Sequence, residues 1–143
     1  MDELDRALLG LLSGDARLSL STVARRLKVA RSTVQARLER LESEKVIVGY
    51  TVKLGEAARS QRLRATALLE IDLKVQQAIL GRLKAIPEIE RIVTCSGRID
   101  LMAQIAADTT MQLDRVLDLI GEIPGVLNSE SLIHLTTKLD RAV

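Results

Sequence analysis

The sequence predicts an α+β protein in two parts, an N-terminal winged helix-turn-helix domain and a C-terminal ferredoxin-like βαββαβ domain. Three observations carry that expectation. Leu18 to Leu41, LSLSTVARRLKVARSTVQARLERL, reads as two short amphipathic helices joined by a tight corner. Residues 63–143 alternate strand and helix periodicities in the order β-α-β-β-α-β. Both helices of that half end in an Ile-Pro junction, Ile86-Pro87 and Ile123-Pro124, followed by an apolar strand, as a duplicated split βαβ unit would. With 143 residues and 47% hydrophobic content, the chain can bury a core of this kind.

The elements follow in order. Residues 2–12 form a helix with acids in its first turn, where they complement the helix dipole, and with Leu4, Leu8, Leu11 and Leu12 as its apolar stripe. Gly14 and Asp15 break it. Ser19 or Ser21 caps a second helix held by Val23 and Leu27. The third helix repeats Val34, Leu38 and Leu41 at i, i+4 and i+7 and ends near Lys45. The first helix is the lid of this three-helix core. Residues 46–52, VIVGYTV, change to β-branched and aromatic types and predict a short strand or wing. Residues 54–62 are polar and without period, and are read as a linker, the rival being a resumed third helix.

Ala65 to Leu73 then alternates as a half-buried strand with Ala67, Leu69, Ile71 and Leu73 on one face. Gln76 to Ile86 is a helix with Ile79, Leu83 and Ile86 inward, stopped by Pro87. Ile89 to Thr94 is a strand, Gly97 to Asp100 a turn, and Leu101, Ala103 and Ile105 the inward face of the next strand. Asp108 is expected to cap a helix carried by Leu113, Val116, Leu117 and Ile120, and a last strand to run from about Asn128 to Thr137. A four-stranded sheet with helices on one side leaves Leu68, Met102, Leu132 and Thr136 on the other, an uncovered apolar face suited to an interface. The domains are therefore expected at 1–50 (helix-turn-helix), 51–62 (strand and linker) and 63–143 (dimerisation and effector binding).

Charge is unevenly placed. The net charge is +2, but residues 1–60 hold eleven basic and eight acidic groups against ten and eleven in residues 61–143. Between Arg17 and Arg40 there are seven basic residues and one acid, Glu39. With the Val34, Leu38 and Leu41 seam inward, helical geometry turns Ser32, Thr33, Ala36, Glu39 and Arg40 outward, flanked by Gln35, Arg37 and Arg31. Short hydroxyls and an alanine permit close approach to base edges, arginine can fork to guanine or phosphate, and glutamine to adenine. The residues expected at duplex DNA are thus Arg25, Arg26, Arg31, Ser32, Thr33, Gln35, Ala36, Arg37 and Arg40. Among them Gln35 and Arg37 are assigned to base reading and Arg25, Arg26, Arg31 and Arg40 to phosphate. The competing interpretation is a solvated charged face, and it would more typically alternate glutamate and lysine at i, i+4.

Other classes are disfavoured. No apolar run approaches 18 residues, and Asp2, Glu3 and Asp5 stand where a signal peptide needs basic residues, so a cytoplasmic, nucleoid-associated address without membrane contact is expected. Cys95 is the lone cysteine and His134 the lone histidine, too few for an internal disulfide or a zinc site, and no cofactor is expected. Both should lie on the second and fourth strands, at opposite edges of the sheet, which disfavours catalysis. Tyr50 is the one aromatic residue besides the histidine, so unstacked bases of single-stranded nucleic acid have no rings to rest on.

These features together resemble the Lrp/AsnC (leucine-responsive regulatory protein, feast/famine) family of transcription regulators. The resemblance rests on Leu4-Asp5-Arg6, Asp15-Ala16-Arg17, Leu27 leading to Arg31-Ser32-Thr33-Val34, Arg37 through Glu42 and Val46 through Tyr50. In the second half it rests on Val93 through Leu101 and on Glu122 through Val126. It implies a C-terminal domain of the RAM type and a homodimer with back-to-back sheets, often assembled into tetramers or octamers. It further implies a transcription regulator that binds duplex DNA and responds to an amino acid or similar metabolite through a glycine loop, here Thr94, Ser96, Gly97, Arg98 and Asp100. Two positions depart from the family pattern. Lys28-Val29-Ala30 stands where glycine, an apolar residue and serine are usual, which places lysine in a left-handed position and alanine at a cap. Arg98 stands where an acid is common, and an arginine there favours a carboxylate. The alternative function is a stand-alone small-molecule-binding or oligomerisation module with only non-specific DNA affinity, which a salt titration on duplex DNA would distinguish.

Overall fold

A computed structural model describes residues 1–59 and 62–141. Two compact units emerge, Met1–Lys53 and Leu54–Asp140. Residues 60 and 61 of the expected linker, and 142 and 143 at the end of the expected second domain, lie outside the described residues.

The first unit holds α1 (Glu3–Gly14), α2 (Leu20–Leu27) and α3 (Arg31–Ser43). Asp2 caps α1 through a reciprocal capping box with Asp5, and Ser19 caps α2 by accepting from the Thr22 amide. Leu8, Val23, Ala24, Val34 and Leu41 form its core, with the stripe residues Leu11, Leu12 and Leu27 packed around them. An apolar cleft of about 230 Å³ opens beside this core, lined by Leu8, Leu12, Leu18, Val23, Leu38 and Tyr50. The Tyr50 hydroxyl donates to Glu42 at 2.8 Å. Burial and this acceptor push the phenol up to about 12.

The corner between α2 and α3 takes the departing sequence at face value. Lys28 sits at φ 58°, ψ 43°, the left-handed region, and its N–H closes α2 on Ala24 and Arg25 carbonyls. Ala30 caps α3 with no side-chain hydrogen bond. A second lysine, Lys45, takes φ 60° where α3 ends. The expected strand at 46–52 does not form. A strand requires a neighbour to accept and donate its backbone hydrogen bonds; without one, residues 46–52 form no regular element and Val48 is 88% exposed.

In the second unit, α4 (Glu56–Arg59) is a single turn inside the stretch read as linker. The sheet follows as β1 (Leu63–Ile71), β2 (Ile89–Thr94), β3 (Leu101–Ala107) and β4 (Val126–Ile133), with α5 (Gln76–Lys84) and α6 (Thr110–Gly121) between them. The strand order is β2-β3-β1-β4, all pairs antiparallel, which is the ferredoxin-like arrangement. Ala65, Ala67, Leu69, Leu101, Ala103 and Ile105 face Ile79, Leu83, Leu113, Val116 and Ile120 in a second core. Four alanines in or beside it (Ala65, Ala67, Ala103, Ala107) let the helices sit close on the sheet. Asp100 accepts from the Ile71 amide at 2.9 Å and so ties the β2–β3 loop to the end of β1.

Several boundaries differ from expectation. β1 ends at Ile71, because Asp72 caps a short 3-10 turn over Leu73–Val75, and Leu73 is exposed rather than inward. Thr109, not Asp108, caps α6 by accepting from the Gln112 amide. β4 stops at Ile133 opposite Ala65, since β1 offers only two further residues beyond it, and Thr136 lies past the sheet. Leu68, Val93 and Met102 alternate with the core positions and point to the opposite face, where they are half-buried. Cys95 follows β2 and His134 follows β4, the two edge strands; the His134 ring meets the Thr66 hydroxyl at 2.7 Å.

Candidate nucleic-acid interface and effector loop

The third helix has two working faces. Val34 and Leu41 are buried in the three-helix core, and Leu38 faces the cleft beside it. The opposite stripe, at i, i+3, i+4 and i+7, exposes Ser32, Gln35, Ala36 and Glu39, with Arg31 ahead of it. Thr33 is half-buried at the edge. On α2, Arg25 and Arg26 are both exposed in the last turn. The glutamine amide is engaged within the stripe: Gln35 Nε2 donates to Glu39 Oε1 at 3.2 Å.

Arg37 and Arg40, expected at the reading face, turn instead to α1. Arg40 Nη2 donates to both carboxylate oxygens of Asp5, at 2.7 and 2.6 Å, and Arg37 Nη1 donates to Asp5 at 3.2 Å and also to Asp2. Asp5 is wholly buried. A buried carboxylate is costly unless it is paired and hydrogen-bonded, and here the two guanidinium groups and the Asp2 amide meet that requirement. The Arg40 hydrogen bond holds the Asp5 carboxyl far below the usual carboxylate range, and the Arg37 hydrogen bond lowers Asp2 likewise. Both arginines are correspondingly raised. They are structural clamps between α3 and α1, so two of the seven basic residues between Arg17 and Arg40 have their charge met inside the fold.

This cluster was legible in principle. Asp5 lies between Leu4 and Leu8 on the apolar stripe of α1, and a carboxylate on a buried stripe demands a cation. Reading Asp2 and Asp5 only as complements to the helix dipole misses that demand.

In the second unit, the expected effector residues sit at the end of β2, which holds Thr94, and on the loop that follows it, and they divide in role. Thr94, Ser96, Gly97 and Arg98 are exposed, and Gly97 adopts φ 105°, a conformation that favours glycine. Arg98 Nη1 meets Glu130 of β4 at 3.4 Å. Asp100 is committed elsewhere: its side chain accepts from Ile71, its amide donates to Leu69, and its carbonyl accepts from Cys95. It braces the loop rather than facing outward. Among the described residues no group of His, Cys, Asp or Glu is arranged to hold a metal ion, and no helix is long and apolar enough to cross a membrane.

The chain matches two family models, the AsnC-type helix-turn-helix domain over residues 1–42 and the Lrp/AsnC ligand binding domain over residues 65–143. An uncharacterised HTH-type transcriptional regulator of Pyrococcus horikoshii is 35% identical over 130 residues, which cover 85% of this chain and 77% of the relative. The fold is similar to that of E. coli AsnC, with a TM-score of 0.87 at 21% identity over 100% of this chain and 97% of the other. It is also similar to a Neisseria meningitidis transcriptional regulator solved as a complex with L-Met, with a TM-score of 0.85 at 20% identity over 98% and 93% of the two chains.

Proposed function

Because the chain belongs to the Lrp/AsnC family of transcription regulators, we propose that it binds duplex DNA sequence-specifically, with residues 1–50 as the DNA-binding domain and residues 63–143 as the self-association and effector domain. The observation that carries this reading is the exposed stripe of α3, Ser32, Gln35, Ala36 and Glu39, free of any role in the core and flanked by exposed Arg25, Arg26 and Arg31. Base contacts fall to the stripe and to Thr33 at its edge. Phosphate contacts fall to the arginines, whose charge fixes register and orientation. Arg37 and Arg40 serve the interface indirectly, by holding α3 against α1.

A single helix pair contacts only a few base pairs, so specificity requires two copies at a fixed separation, with half-sites about one helical turn or a multiple apart. We assign that pairing to a homodimer, extendable to a tetramer or octamer, through the sheet face bearing Leu68, Val93 and Met102. The protein then acts on cytoplasmic, nucleoid-associated DNA. The effector is an amino acid or similar small metabolite held by Thr94, Ser96, Gly97 and Arg98, with Arg98 meeting the ligand carboxylate in place of Glu130 and Asp100 bracing the loop. The methionine complex of the Neisseria regulator supports an amino acid as the ligand class.

The test is a salt titration on duplex DNA. Affinity should fall steeply as salt rises, with a log–log slope of roughly −0.9 for each phosphate neutralised. Weak binding with a flat salt dependence would reject the DNA-binding reading and favour a ligand-binding module alone.

A further inference from the structure

The exposed stripe of α3 carries one charge that a DNA-facing helix has to account for. Glu39 projects beside Gln35 and Ala36, and Arg37 and Arg40, which would offset it, are turned to Asp2 and Asp5. A carboxylate in that position is repelled by phosphate, so a purely solvating role would weaken the very contact the helix makes. Its hydrogen-bond partner is Gln35, one turn earlier.

That hydrogen bond fixes an otherwise ambiguous side chain. An ionised carboxylate only accepts, so the Gln35 amide must present Nε2 to Glu39. Its Oε1 and second N–H then remain free, an acceptor and a donor side by side. This is the complement of adenine in the major groove, where N6 donates and N7 accepts. The free lone pairs of Glu39 complement the N4 amino group of cytosine, whereas guanine O6 and N7 and thymine O4 present only acceptors that repel it. Cβ atoms at i, i+4 stand about 6 Å apart and bases along a strand about 3.4 Å, so the two side chains address base pairs within about two steps of each other.

We propose that Gln35 and Glu39 form one reading unit, in which Glu39 orients the Gln35 amide toward an adenine and itself accepts from the amino group of a nearby cytosine. The assignment rests on the DNA-reading role of α3 proposed above. Glu39 thereby sets specificity at two positions, directly at one and as a positioning residue at the other.

The test uses the full chain. Sites are selected from a randomised duplex library by the wild-type protein, and affinities for the selected site and its single-base variants are measured for wild type, Gln35→Ala, Glu39→Ala and Glu39→Gln. All three substitutions lie on an exposed face and bury nothing. Gln35→Ala should reduce discrimination at one adenine position by roughly tenfold. Glu39→Ala should reduce it at that same adenine and at a cytosine within two steps, while random duplex is bound about threefold more tightly because a negative charge has left the interface. Glu39→Gln retains an acceptor for the Gln35 amide and should restore the adenine preference but not the cytosine preference. Unchanged preferences in the Glu39 variants would overturn the proposal, as would loss of the adenine preference in Gln35→Ala alone. A wild-type protein that selects no sequence would overturn the DNA-reading role itself, a distinct failure.

Discussion

Arg40 reaches from α3 to place one guanidinium nitrogen on both carboxylate oxygens of Asp5, at 2.7 and 2.6 Å, inside the first unit. The pair couples the position of α3 to the ionisation of a single buried group. Asp5 is depressed below its ordinary value of 3.8, so its contribution to stability is complete above that value and is lost as pH falls toward the folded-state pKa. Asp5→Asn should lower the thermal midpoint of the helical unit at neutral pH, and the gap from wild type should close on acidification below about 3.8. Circular dichroism melts across that range provide the check; a gap that widens in acid would contradict it.

The same cluster gives Arg37 a structural role in place of the base reading expected of it, and so sets it apart from Arg26 in a different way. Arg37→Ala should weaken binding to the preferred site and to random duplex by the same factor and should lower the thermal midpoint as well. Arg26→Ala should weaken both kinds of duplex without moving the midpoint, and reduce the salt slope by about 1. A selective loss at the preferred site in Arg37→Ala, with unaltered stability, would return Arg37 to the base-reading set.

Lys28 occupies the left-handed corner between α2 and α3 at φ 58°. A non-glycine residue there costs about 1 kcal/mol, and Lys28→Gly should recover an amount of that order in a denaturant titration. No gain would mean that the lysine side chain contributes contacts of equal worth.

Gly125, at φ 99°, fits a tighter constraint. A Cβ added there would lie 2.5 Å from Val75 Cγ2 and 3.0 Å from Ile79 Cδ1. Backbone strain and overpacking act together, so Gly125→Ala should destabilise the second unit by about 2 kcal/mol or more. The denaturant midpoint should fall with an unchanged m-value.

Much of this architecture was legible because it repeats. Val34, Leu38 and Leu41 announce a helix face, and the alternation from Ala65 to Ile71 announces a strand, each through residues a few positions apart. What was not legible depends on distant partners. Residues 46–52 have strand composition, yet a strand exists only where another backbone meets it. The end of β4 at Ile133 is set by where β1 begins, some seventy residues earlier. The ion pairs of Arg37 and Arg40 were hidden for the same reason: helical geometry gives the angle of both side chains, but only packing reveals that they meet Asp5. The left-handed Lys28 and the uncapped Ala30 were legible because turn chemistry is local.

The division of α3 between two stripes also bears on how such a protein can change. Its core positions and clamp arginines hold the helix in place, while Ser32, Gln35, Ala36 and Glu39 support nothing beneath them. Substitutions in those four positions are therefore nearly silent for folding. On the base-reading role proposed for this stripe, a duplicated copy of this gene could explore new target sequences one side chain at a time, without passing through unstable intermediates.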